Sequence, residues 1–63
     1  MDNEALFNIF KKAIYDEHKS YEFYLKAAAD TTNKNAKELF AKFAAIERSH
    51  ENALEELYRT LKE

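Results

Sequence analysis

The 63-residue chain has no cysteine, no glycine and no proline. Without cysteine, neither disulfides nor thiolate metal sites are available, and the redox compartment cannot be read from cysteine usage. Without glycine or proline, nothing breaks a helix by backbone chemistry alone. Neither sign of charge dominates. Ten Lys and Arg stand against twelve Asp and Glu, for a net charge of −2, and the basic residues are scattered among acids, so there is no basic footprint for nucleic acid. No uninterrupted apolar run approaches the ~18 residues that mark a transmembrane helix. The opening "MDNEALFNIFKK" has no positive segment followed by an apolar one, so no signal peptide is expected. The resulting expectation is a soluble, cytoplasmic protein with no nucleic-acid or membrane partner.

What is present is apolar and periodic. With 46% hydrophobic residues, including five Phe and four Tyr, the chain is too apolar to be disordered. One turn-prone cluster interrupts it, "DTTNKN" from Asp30 to Asn35. Asn33 or Asn35 can cap a following helix, and Asn35 with Glu38 fits a loose capping box. The spacing therefore predicts a single domain over 1–63, with helices over about 3–29 and 34–62 and a turn over about 30–33. On the first helix Phe7, Phe10, Ile14, Glu17, Tyr21, Tyr24 and Ala28 follow steps of three and four. On the second, Ala36, Phe40, Phe43, Glu47, His50, Leu54, Leu57 and Leu61 do the same. Each set falls within an arc of roughly 100°, the width of a core-facing stripe.

Two helices touch along a line and leave both flanks wet. A lone core of this size supplies only about 3–5 kcal/mol without further help, and Leu6, Leu39 and Ile46, with the Phe residues of the stripes, need another layer. The simplest remedy is a second copy. The fold expected is all-α: an antiparallel two-helix hairpin that dimerises into a four-helix bundle, with a larger homo-oligomer also compatible. Phe23 lies off the stripe and reads as a single exposed aromatic.

Glu17, Glu47 and His50 occupy seam positions where Leu or Phe would be expected. Counting outward from the turn at ~1.5 Å per residue puts Glu17 and Glu47 at the same height, roughly 22 Å from it. His50, three residues after Glu47, shares its face. Unpaired carboxylates in an apolar seam are costly, and a divalent cation removes that cost. Two copies would bring four carboxylates and two imidazoles together. One Glu from each of two helices, plus Glu-x-x-His from each of the other two, is the donor set of di-iron and di-manganese carboxylate bundles. Oxygen and imidazole donors suit iron, manganese or zinc.

The neighbouring polar residues read more plainly. His18, rotated roughly 100° from Glu17, is expected to be partly exposed. Asp16, Glu22 and Glu51 read as solvated acids, with Glu22 and Lys26 as a surface pair. Tyr21 and Tyr24 lie in the seam and are expected to pack in the core. A buried tyrosine hydroxyl needs a partner, and a ligand carboxylate is one such partner, so Tyr24, and after it Tyr21, are candidates to brace the ligands from behind.

The stretch "SYEFYLKAAADTTNKNAKELFAKFAAIERSHENALEELY" resembles one half of a rubrerythrin- or erythrin-type ferritin-like domain. The residues that carry the resemblance are Glu17 six residues before Phe23-Tyr24, "KELF" opening the second helix, and Glu47-x-x-His50. The single-hairpin length is similar to that of encapsulated ferritins, which assemble their iron site between two chains. The resemblance implies Glu17 and His50 as terminal ligands, Glu47 as a bridging ligand and Tyr24 as a near-site aromatic. It also implies two iron ions per dimer that react with dioxygen or hydrogen peroxide. Two departures favour a simpler, ferroxidase-like site: there is no cysteine for a rubredoxin-like centre, and Ile14 stands where rubrerythrins tend to carry a further carboxylate. The alternative is a non-catalytic structural or interaction module whose metal site only stabilises the bundle.

Overall fold

The computed structural model describes residues 2–63 and consists of two antiparallel helices, α1 (Asn3–Asp30) and α2 (Lys34–Lys62). They form a rod of 47 × 15 × 14 Å. Among the described residues, no helix is long and apolar enough to cross a membrane.

Helix α1 starts on Asp2, whose carboxylate accepts a hydrogen bond from the Ala5 amide at 2.7 Å. Glu4 in its first turn suits the positive end of the helix dipole. It ends where Thr31 turns extended, at φ −79° and ψ 142°. The three-residue connection needs no glycine because no described residue has a positive φ. Its polar groups are used locally: the Thr31 hydroxyl accepts from the Asn33 amide at 3.1 Å, and the Lys37 ammonium reaches back to the Ala28 carbonyl. Helix α2 is capped by Asn33, whose side-chain oxygen accepts from the Ala36 amide at 2.9 Å. Asn35 lies inside the first turn of α2, so an Asn35–Glu38 capping box is not what starts the helix.

Aromatic clusters join the helices at both ends of the seam. Near the termini, the Tyr58 ring lies edge-on to Phe7 and stacked with Phe10, with centroids 5.6 and 6.0 Å apart. Near the turn, Tyr24 packs against Phe40 and Phe43 at 6.3 and 5.3 Å. Between them Glu17, Glu47 and His50 interrupt the seam. The hairpin buries only Ala28, Ala44 and, unexpectedly, Glu51 among the described residues, so Glu51 is not the solvated acid its sequence context suggests. Lys26 pairs with Asp30 at 3.0 Å rather than with Glu22, and Glu22 turns to Lys19 and His18.

Part of the predicted stripe on α2 stays open, together with Leu39 and Ile46 beside it. Leu39, Phe43, Ile46, Leu57 and Leu61 are 37–51% exposed. With His50 they occupy an arc of roughly 60° along α2, at roughly 100° per residue. Phe23 is 67% exposed, as its off-stripe position predicts.

Candidate metal centre

Glu17 sits midway along α1, and Glu47 and His50 sit one turn apart on α2. The three-residue connection folds α2 back alongside α1, and the three side chains meet. His50 Nδ1 lies 3.4 Å from Glu17 Oε2 and 3.6 Å from Glu47 Oε1. One donor atom from each residue lies within 4.8 Å of the others, and this is the one such group among the described residues. Both carboxylates are half-buried, whereas the imidazole is exposed on the same side as the open apolar stripe.

The electrostatics of the group are unfavourable by themselves. Glu17 Oε2 is buried with no hydrogen-bond partner, a costly state for a carboxylate oxygen. A hydrogen bond to Glu17, partial burial and the Glu17 charge together push the Glu47 carboxyl above its usual range, against the opposing pull of His50.

A divalent cation fits these donors. Bonds of about 2.0–2.2 Å to oxygen and nitrogen imply donor–donor separations of roughly 3–3.5 Å in a tetrahedral arrangement. The observed 3.4 and 3.6 Å are close to that before any adjustment. A cation would also satisfy the orphaned Glu17 oxygen. Three donors from one hairpin leave positions for donors from elsewhere.

The two tyrosines differ in placement. Tyr24 belongs to the aromatic cluster on the turn side of the group, also edge-on to Phe23 at 5.4 Å. Tyr21 faces the other flank, 6.0 Å from the His18 ring and beneath the Arg48 guanidinium at 5.3 Å. The expected partial exposure of His18 holds, but its ring also reaches across to Glu51 at 3.0 Å. That cross-helix contact is not apparent from the sequence positions taken singly.

No curated protein and no solved structure matches the chain. A family model described as rubrerythrin does match, over residues 1–58. That span contains both helices' seam stripes as far as Tyr58 and all three converging donors. The chain belongs to the rubrerythrin family.

Proposed function

We propose that two copies of this hairpin pair along the open stripe of α2 into a ferritin-like four-helix bundle. Glu17, Glu47 and His50 of each chain would then hold two iron ions, with manganese or zinc as possible substitutes. The observation that carries this reading is the stripe itself. Leu39, Phe43, Ile46, Leu57 and Leu61 are exposed on the same face as His50, so the layer that covers the apolar side chains also closes over the metal donors. Exposed apolar patches of this continuity mark interaction surfaces.

In that bundle Glu17, Glu47 and His50 would hold the ions, with Glu17 and His50 in the terminal and Glu47 in the shared role that the family resemblance implies. Four carboxylates offset the four positive charges of two divalent ions. Two Fe(II) ions, when bound, would each supply one electron on becoming Fe(III), and with two protons these would convert dioxygen to hydrogen peroxide, or hydrogen peroxide to two waters. The protein's own contribution is to gather the donors, leave open positions and keep the seam around them apolar through the aromatic clusters.

The test is oxygen uptake on adding two Fe(II) per dimer. The reading predicts consumption of about one dioxygen per two Fe(II), faster than in protein-free buffer, as expected for an open metal site that transfers electrons to dioxygen. Iron oxidation no faster than in buffer with both dioxygen and hydrogen peroxide contradicts it. A second reading is favoured by how little the hairpin buries, with Ala28 and Ala44 the only buried apolar residues among those described. In that reading the metal stabilises a non-catalytic module, and metal raises the melting temperature with no oxygen uptake.

A further inference from the structure

On the flank opposite the three donors, a second polar group joins the helices. Glu51 is 4% exposed. Both of its oxygens lie within hydrogen-bond distance of His18 Nδ1, at 3.0 and 3.1 Å, so a protonated Nδ1 donates to the carboxylate. Arg48 Nη1 donates to Oε1 at 3.2 Å. The other ring nitrogen of His18 is 3.7 Å from Glu22. Burial pushes the Glu51 carboxyl up, but hydrogen bonds from His18 and Glu55 and the charges of His18 and Arg48 outweigh it and hold Glu51 below its ordinary range.

Each of His18, Arg48 and Glu51 directly follows a member of the donor group: Glu17, Glu47 and His50 respectively. One residue further along a helix rises only ~1.5 Å and turns roughly 100°. In antiparallel helices the same turn carries the next residues of both helices to the same flank. The second group is therefore a rotated copy of the first, at nearly the same level. It is not a second metal site, because the Arg48 guanidinium already supplies a fixed positive charge to the Glu51 carboxylate.

A buried carboxylate tolerates few arrangements. Sliding α2 by one turn along α1 would move Glu51 ~5.4 Å from His18 and leave a buried charge without its cross-helix partner, which is strongly unfavourable. Aromatic clusters at the two ends constrain sliding less, since apolar contacts are non-directional. Buried polar groups of this kind add little to stability, and their best-attested use is to specify register.

We propose that Glu51, bonded to His18 across the seam and braced by Arg48, is a positioning residue that sets the register of α1 against α2, levelling Glu17 with Glu47 and His50 before any metal binds. The purpose assigned to that register rests on the reading of Glu17, Glu47 and His50 as metal donors.

The test compares the full chain with Glu51→Leu and Glu51→Gln. Circular dichroism establishes that each variant is folded, and two further readouts follow. In the metal-free protein, amide NMR shows one set of peaks around residues 14–21 and 44–54 for the parent chain and more than one set for Glu51→Leu. Cobalt(II) affinity falls by about 10–100-fold in Glu51→Leu, the usual effect of losing a residue that orients ligands, and the cobalt visible bands change. Glu51→Gln, which keeps an acceptor for His18, restores the single set of peaks and most of the affinity. A folded Glu51→Leu with one set of peaks and parental cobalt affinity overturns the proposal. If Glu51→Leu does not fold, His18→Ala carries the same decision, since it removes the cross-helix partner and leaves only the same-helix Arg48. If the parent chain takes up no cobalt, the metal reading fails, and the metal-free spectra still decide the register.

Discussion

Glu47 holds its proton to higher pH than an ordinary carboxyl because it shares a hydrogen bond with Glu17 in a partly desolvated seam. Metal must displace that proton, so acidification should weaken iron or cobalt binding from a higher pH than isolated carboxylates would give. Affinity measured by titration calorimetry should fall steadily below neutral pH, whereas a flat profile down to about pH 5, near the ordinary carboxylate range, would contradict the assignment. Glu51 has the opposite sign. Its folded value is depressed, so its contribution to stability is present above the ordinary value of 4.5 and lost as pH falls from there through the lower folded value. Relative to Glu51→Gln, the metal-free parent chain should lose melting temperature as pH falls through that window. Ligand substitutions separate the two groups: Glu47→Ala or His50→Ala should abolish loading of two irons per dimer, as read by metal analysis after desalting, while leaving the helices intact. Glu17, Glu47 and His50 were legible in the sequence because each interrupts an apolar stripe of constant period. Glu51 was not, because it sits among charged neighbours and its burial depends on His18, 33 positions away. The signal available was the levelling that pairs Glu17 with His50, which one residue further along pairs His18 with Glu51.

The two helices follow from the seam's three-and-four spacing, and their ends from local chemistry. The period made their existence plain, and "DTTN" marked the turn between them. Which asparagine caps α2 was not legible, because Asn33 and Asn35 offer the same oxygen two residues apart. The choice falls to Asn33 because the extended backbone there, φ −79° and ψ 116°, aims its side chain at the Ala36 amide. Asn33→Ala should therefore destabilise the fold by about 1 kcal/mol, measured by urea unfolding of the metal-free protein, whereas Asn35→Ala should have little effect. An equal loss at both positions would contradict the observed cap.

A rod only 15 Å across cannot surround its own seam, and the side chains left open include part of the predicted stripe on α2. The sequence pattern indicated that a further layer is needed, but the identity of that layer does not follow from one chain's periodicity. In the proposed dimer a second copy would meet the requirement with the same stripe and complete the donor set. A charge placed in the stripe should break the pairing: Leu57→Glu should shift the protein to monomer in sedimentation equilibrium and lower metal affinity, although residue 57 is two turns from His50. The most direct test of the central claim is native mass spectrometry after anaerobic titration with Fe(II). The account predicts a species of two chains carrying two irons. No uptake, or one loosely held ion on a single chain, would contradict it.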